Sequence, residues 1–279
     1  MDFFKIELSN AEFTKLGNFI YSNYGIKMPI AKKELLKARL QSRLRANNIE
    51  SFKEYCEYIF SGKDGESEII HMIDVVSTNK TDFFREPAHF EHMTTVLLPD
   101  YSAKNPGREL KIWSSACSSG EEAYTIGMVV NEFSDTKSKI DFSILGTDIS
   151  TRILERAARA VYLEDRILPI PLHMKKKYLL RNVNAEKTDF RIVPELRKKT
   201  RFQRLNLMDN AYGVPKDFDI VFCRNVLIYF DRETQEKVLN KLCSHLKTGG
   251  TFFLGHSESI TGLNLPLKQI KPTVFIKTD

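Results

Sequence analysis

The residues most able to do chemistry stand in short polar turns that follow apolar, β-branched runs. The run at 110–115 leads into Ser114-Ser-Ala-Cys-Ser-Ser-Gly120-Glu-Glu122, a turn of small residues directly before a helical pattern. Small side chains let a ligand approach the backbone, and a helix N-terminus offers free amides and a positive dipole end. There is no G-x-G-x-x-G, and Glu121 and Glu122 stand where a pyrophosphate would bind. Carboxylates there repel phosphate and attract a cation such as an amino-acid ammonium group. The run at 142–147 leads into Gly146-Thr-Asp148-Ile-Ser150, where nucleotide-binding α/β domains hold the acid that hydrogen-bonds both ribose hydroxyls. Plainer readings stay open at this point: Glu121 and Glu122 favour any helix start, and Asp148 could be an N-cap, although Ser150 competes for that place.

Taken together, an acid for ribose and acids beside the first turn suit a nucleoside joined to an amino acid without phosphate, as in S-adenosylmethionine. Two further strand ends carry polar groups: Asn206-Leu207, and Arg224-Asn225 followed by Val-Leu-Ile-Tyr229. Ahead of the strands, residues 77–86 are too polar for a core strand and too aromatic for a linker. Arg85 in that segment has the fork geometry that suits a ligand carboxylate. His89 and His92 are three apart on an expected helix, but no other histidine or cysteine cluster accompanies them, so no metal is expected. No Ser/His/Asp or Cys/His constellation stands out.

The elements that must position these residues fall into two regimes. From Ser9 to about Val76 the apolar residues recur at helical spacing, as in Phe13, Leu16, Phe19 and Ile20, and again in Leu35, Leu36, Leu40 and Leu44. Ser9 with Glu12 and Ser51 with Glu54 read as capping boxes, so about four helices are expected. After about Leu110, short apolar runs alternate with helical segments, which predicts a parallel sheet with crossover helices. Strands are expected at 110–115, 142–147, 202–207, 218–223, 251–255 and 274–277, and helices at 121–133, 151–160 and 232–246. Residues 161–201 break the alternation and read as an insertion, with a helix at 172–180 and a hairpin strand at 190–193. Ligands of such doubly wound domains bind at the carboxyl ends of the strands, near the point where strand order reverses.

Five segments resemble the chemotaxis receptor methyltransferase (CheR) family in the family's order: T-N-K-T-D-F-F-R-E at 78–86, W-S-S-A-C-S-S-G-E-E-A-Y at 113–124, G-T-D-I-S at 146–150, F-C-R-N-V-L-I-Y-F at 222–230 and G-H-S-E at 255–258. The resemblance implies an α/β fold: a doubly wound, Rossmann-like S-adenosylmethionine-dependent methyltransferase domain at 77–279, with a small inserted β-subdomain at about 161–201. An all-α N-terminal domain at 1–76 would precede it. It implies methyl transfer from S-adenosylmethionine to glutamate carboxylates of chemoreceptors, with S-adenosylhomocysteine as product. By the same resemblance Asn79, Thr81 and Arg85 are cofactor contacts, Arg85 on the methionine carboxylate. Glu122 would take the amino group, Asp148 the ribose, and Asn206 with Leu207 the adenine side. Arg224 and Asn225 would line the cleft, and Tyr229, with Arg224, would act at the transferred methyl; His256 has a supporting place. Some members grip a receptor C-terminal peptide through a glycine-rich turn, which here reads Arg181-Asn-Val-Asn-Ala-Glu-Lys-Thr188, with asparagines in place of glycines.

Composition narrows the remaining possibilities. The 279 residues carry 42 Lys+Arg against 36 Asp+Glu, and the excess is concentrated in a local +6 at 27–45 and a local +8 at 175–204. Such stretches steer an acidic partner. Lys37, Arg39, Arg43 and Arg45 on the expected helix at 32–45 are taken as the docking face for acidic chemoreceptor helices. A nucleic-acid methyltransferase is the rival enzyme class, but the place after strand four reads Arg-Asn-Val-Leu-Ile-Tyr where adenine amino-methyltransferases carry D/N-P-P-Y/F. No proline precedes a cysteine, as cytosine C5 chemistry requires, so no nucleic-acid partner is expected. A non-catalytic S-adenosylmethionine-binding module is the third class. Cys56, Cys117, Cys223 and Cys243 form no C-x-x-C pair and are expected to be reduced and mostly buried. No apolar run approaches the ~18–20 residues of a spanning helix, so a cytoplasmic monomer without membrane insertion is expected.

Overall fold

The computed structural model describes residues 6–184 and 188–278. Four helices open the chain: α1 (Asn10–Tyr24), α2 (Lys33–Asn47), α3 (Phe52–Ile59) and α4 (Lys63–Val76). Ser9 and Glu12 form the expected capping box on α1. Ser51 caps α3 through Glu54 N, but the Glu54 carboxylate accepts from Glu50 N instead of closing the box. The apolar stripes of these helices meet in one core containing Leu16, Ile20, Leu36, Leu40, Tyr55 and Ile73. Leu35, expected on that stripe, is 47% exposed and faces the cleft described below.

A helical connection follows: α5 (Ala88–His92), a π-helical turn (Met93–Leu97) and α6 (Leu98–Lys104). The alternating region then contributes β1 (Leu110–Ser114), α7 (Glu121–Thr136), β2 (Phe142–Asp148) and α8 (Thr151–Arg159). The insertion holds β3 (Val161–Leu163), α9 (Leu172–Tyr178), β4 (Leu179–Arg181) and β5 (Asp189–Ile192), and it closes through α10 (Pro194–Lys199). β6 (Thr200–Arg204), β7 (Phe218–Cys223), α11 (Arg232–His245), β8 (Leu246–Leu254), β9 (Leu267–Lys271) and β10 (Val274–Lys277) complete the chain.

The large sheet has the order β6-β2-β1-β7-β8-β10-β9. β1 pairs in parallel with both β2 and β7, so strand order reverses between β1 and β7. β10 alone runs against the common strand direction, pairing antiparallel with both β8 and β9. The central strand β7 is buried at every position, as a strand covered on both faces must be. Apolar side chains fill both faces of the sheet, Ile112, Ile144 and Phe222 on one and Trp113, Val221 and Leu254 on the other. β3, β5 and β4 form a separate antiparallel sheet. The centre of the asparagine-bearing turn at 181–188 lies outside the described residues. All four cysteines are buried and unpaired.

Three differences from the sequence expectation have physical reasons. The strand expected at 202–207 runs Thr200–Arg204. Its end is turned out because Asn206 donates to Asn23 O at 2.8 Å and accepts from Met208 N at 3.0 Å. The helix expected at 172–180 stops at Tyr178, where Leu179 enters β4. β9 was missed because its sequence, LKQIK, is an exposed edge with no buried residue and thus no apolar alternation to detect.

The helical layer sits directly on the carboxyl ends of the strands. Gly25, at φ 69°, ends α1 in the left-handed region, and a Cβ there would lie 2.5 Å from the Phe230 ring. Glycine thus permits both the turn and the close approach. Tyr21 donates to Asp231, and Arg152 donates from Nη2 to Asp74 O at 3.2 Å.

Candidate active site

One cavity opens between the helical layer and the carboxyl ends of β1, β2, β6 and β7. Asn79, Thr81, Arg85, Glu122, Asp148, Asn206, Leu207, Arg224, Asn225 and Tyr229 all line it, although they come from five separate segments of the chain. Lys32, Leu35 and Arg39 close it from the helical side.

The turn after β1 sets its floor. Ser118 takes φ 50° and its N–H donates to Asp148 Oδ2 at 3.0 Å, while Asp148 Oδ1 accepts from Ser150 N at 3.0 Å. Ser150, not Asp148, caps α8 through Ile153 N. Asp148 is therefore a turn-organising carboxylate with lone pairs left for a ligand. Burial pushes its pKa up, and three backbone N–H groups oppose that rise.

The two adjacent glutamates diverge. Glu121 turns toward the insertion, where Arg166 donates to it at 2.9 Å and Ser119 Oγ at 2.6 Å. Glu122 turns into the cavity, accepting from Ser114 Oγ at 2.6 Å and from Arg224 Nη1 at 3.1 Å. Burial raises the Glu122 pKa despite the Arg224 charge.

Arg224 was expected among the catalytic groups, and the structure gives it a positioning geometry. Its guanidinium, 2% exposed, is clamped between Glu122 and Glu86, with Nη2 3.0 Å from Glu86 Oε2. It also donates to Arg85 O and lies over the Phe90 ring. Glu86 accepts further from Asn225 Nδ2 and His256 N, both at 3.2 Å. Burial alone would raise the Glu86 pKa; Arg224 and these hydrogen bonds outweigh it and hold the carboxyl below its ordinary value. Phe84 (φ 53°), Glu86 (φ 58°) and Asn225 (φ 60°) are non-glycine residues in the left-handed region. Backbone strain of this kind clusters where surrounding contacts over-determine a site.

The G-H-S-E segment supports the far wall. Glu258 is buried and accepts from Gly255 N (2.7 Å), Val226 N (2.8 Å) and Leu227 N (2.8 Å), which fixes the turn carrying Asn225 and Tyr229. A Cβ on Gly255 would lie 2.6 Å from Asn225 Nδ2, so glycine is required for that approach. Glu86 and Glu258 received no role from the sequence although both lie in quoted motifs; their partners are remote in the chain, and only the motif itself could have flagged them. Arg85 donates to Lys80 O at 3.1 Å, and Asn79 accepts at its carbonyl from Ser118 Oγ at 2.9 Å.

The basic face expected on α2 requires correction. Arg39 donates to Val76 O, and to Thr78 Oγ1 at 3.3 Å, tying α2 to the polar segment that lines the cavity. Arg43 makes a two-point contact with buried Glu68 on α4, from Nε at 2.9 Å and Nη2 at 2.6 Å. Lys37 pairs with Glu34 at 2.7 Å and Glu7 at 3.1 Å. Arg45 is exposed at the last turn. Helical spacing correctly grouped Arg39 and Arg43 on one face, but that face turns toward α4 and the cavity rather than toward solvent. His89 and His92 do not converge either: His89 lies 3.6 Å from Glu86, and His92 packs against the Phe253 ring.

A strand-order reversal with an acid at the start of α7 and another at the end of β2, and no G-x-G-x-x-G, places the chain in the doubly wound α/β class whose ligands bind at the strand ends, with carboxylates suited to an S-adenosylmethionine-type cofactor. Family models described as "CheR methyltransferase, SAM binding domain" and "CheR methyltransferase, all-alpha domain" match residues 79–276 and 11–77. The chain is 39% identical over 278 residues to a chemotaxis protein methyltransferase of Borreliella burgdorferi, covering 98% of this chain and 96% of that one. It is 34% identical to a chemotaxis protein methyltransferase of Escherichia coli, covering 93% and 88%. The chain belongs to the CheR family of chemotaxis protein methyltransferases, and S-adenosylmethionine is its cofactor. Among the described residues no helix is long and apolar enough to cross a membrane.

Proposed function

We propose that this protein methylates glutamate side chains of chemoreceptor cytoplasmic helices, producing glutamate methyl esters and S-adenosylhomocysteine, in the cytoplasm and as a monomer. The observation that carries this reading is the cavity itself, with Glu122 and Asp148 at adjoining strand ends in a chain of this family. Two buried carboxylates suit an ammonium group and a ribose diol, and would oppose a phosphate. In this reading residues 77–279 bind cofactor and acceptor, and residues 1–76 form the wall that closes over them.

When bound, S-adenosylmethionine supplies an electrophilic methyl group for in-line displacement. An acceptor glutamate is already ionised at neutral pH, with a reference pKa of about 4.3, so the chain needs no general base. Its residues hold and align. Arg85 takes the methionine carboxylate, Asn79 and Thr81 are further cofactor contacts, Glu122 takes the ammonium, Asp148 the ribose, and Asn206 with Leu207 border the adenine. Arg224 keeps Glu122 aimed into the cavity, Asn225 fixes Glu86, and Tyr229 borders the reacting methyl. Alignment of this kind contributes up to ~7–11 kcal/mol. The apolar walls favour a reaction between opposite charges, because water stabilises the separated ions more than the charge-dispersed transition state.

The test is incubation with methyl-labelled S-adenosylmethionine and receptor cytoplasmic fragments. Base-labile label on the fragment is expected. Label on nucleic acid instead would reject the reading, and cofactor binding with no transfer would reduce the protein to a regulatory module. Of the two basic stretches that favoured nucleic acid, the one at 27–45 has Arg39 and Arg43 committed to internal partners.

A further inference from the structure

Behind the Arg224 clamp lies a second polar cluster that shares only Glu86 with the proposed site. Glu86, His89 and His256 present ligand atoms that all lie within 4.8 Å of one another. His89 Nδ1 is 3.6 Å and His256 Nε2 3.9 Å from the same oxygen, Glu86 Oε2.

The tautomer of His89 can be worked out from its surroundings. Its Nε2 is 2.7 Å from Thr273 Oγ1, and that hydroxyl spends its own proton on Pro272 O at 2.7 Å. With that hydroxyl turned to Pro272 O, Thr273 Oγ1 accepts, and the hydrogen-bond network assigns the hydrogen to Nε2 and leaves Nδ1 a lone pair. His89 is 2% exposed and Nδ1 has no hydrogen-bond partner. A buried acceptor without a donor costs free energy. Here it faces a carboxylate oxygen, so two acceptors confront one another with no proton between them. A cation relieves this arrangement.

We propose that Glu86, His89 and His256 bind a divalent transition-metal ion of the zinc class, with water completing the coordination. Two imidazoles and one carboxylate are a common donor set for zinc, and an imidazole whose second nitrogen donates to a fixed oxygen is the usual form of a metal-binding histidine. Tetrahedral zinc, with bonds of about 2.0–2.2 Å, sets its donors roughly 3.3–3.5 Å apart. The two gaps to Glu86 are close to this. The exposed ring of His256, 56% accessible, is free to close the remaining distance and opens the site to solvent. Glu86 keeps its bond to Arg224 on its other lone pair, and the two carboxylates of the clamp outweigh the single guanidinium charge. The ion would join the strained loop at 84–86 to the G-H-S-E turn, two segments that support opposite walls of the cavity.

The test is zinc titration of the full-length, tag-free, chelator-treated protein by calorimetry, with cobalt substitution read by visible absorption. One zinc per chain and the intense absorption of four-coordinate cobalt are expected. His256→Ala, at an exposed position, should lower zinc affinity by more than the ~10–100-fold that loss of an outer partner costs, and Thr273→Ala should fall within that range. His173→Ala, beside Glu132 on the surface, should change neither signal. Zinc should raise the melting temperature of the parent protein and not of the His256→Ala variant. Absence of binding, or binding that His256→Ala leaves unchanged, would overturn the site.

Discussion

Two arginines in this molecule, Arg43 half-buried and Arg224 buried, carry similar partners and do different work. Arg43 joins Glu68 and Tyr55 in the core between α2, α3 and α4, with Tyr55 Oη donating to Glu68 Oε1 at 2.8 Å. Arg224 joins Glu86 and Glu122 at the end of β7. Around Arg43 the helices are regular. Around Arg224 three non-glycine residues take positive φ, and both Arg224 and Glu122 face a cavity. The pairing of charges is thus no marker of a functional site. What separates the two clusters is strain and empty space beside the second one.

The sharpest way to break this comparison is to remove each arginine. Arg43→Ala and Arg224→Ala each leave a buried carboxylate uncompensated, and each should lower stability by about 3–5 kcal/mol. Denaturant titration would measure this. Calorimetry on the folded fraction should then diverge, with S-adenosylhomocysteine affinity retained in Arg43→Ala and lost in Arg224→Ala, where Glu122 is no longer aimed. Equal loss of affinity in both variants would mean that the helical cluster also organises the cleft.

A smaller effect separates ligand contact from support. Asp148→Ala should weaken S-adenosylmethionine and S-adenosylhomocysteine alike by about 1.5–3 kcal/mol, the cost of hydrogen bonds to a charged group. Unchanged affinity would leave Asp148 with only its turn-organising role toward Ser118 and Ser150.

The helical cluster also carries a pH signature. Burial would raise the Glu68 pKa, but Arg43, Asn47 and Tyr55 outweigh it and hold the carboxyl below its ordinary value. A depressed folded-state pKa contributes stability that is complete above the unfolded value of about 4.3 and lost as pH falls through the folded value. Glu68→Gln should therefore be less stable than the parent at pH 7, by about 1–3 kcal/mol, and the gap should close on acidification below pH ~4. A gap constant from pH 7 to 3 would assign the loss to packing.

How far the sequence reached follows the range of the interactions involved. The turns after β1 and β2 were legible because strand, turn and helix start lie within a dozen residues, so Asp148 and the Glu121-Glu122 pair could be located from local pattern, while the choice of Glu122 over Glu121 came from the family resemblance. The same locality gave Ser9, Glu12 and Ser150 their caps. Periodicity showed that Arg39 and Arg43 share a face of α2 but could not say which neighbour that face meets, because α4 and the segment after it lie some thirty residues on. Leu35 was assigned to the core for the same reason and lines the cleft instead. Glu86 and His256 meet across most of the domain, and nothing in local spacing relates His89 to either Thr273 or His256.

The smallest expected effect concerns the outer side of α2, the counterpart of the inward face that holds Arg39 and Arg43. Lys37 and Arg45 are the expected docking residues that do not line the cleft. Lys37 already shares Glu7 and Glu34, so an acidic receptor helix would have to compete with those carboxylates. Exposed pairs of this kind contribute about 0.2–1 kcal/mol. Replacing Lys37 and Arg45 together by alanine should raise the KM for a receptor fragment a few-fold at low salt. The difference should vanish as added salt shortens the screening length, with kcat and cofactor affinity unchanged. Steady-state methylation at several ionic strengths measures both quantities. A KM that ignores the double substitution at every salt concentration would remove α2 from receptor docking and leave its basic residues with internal work only.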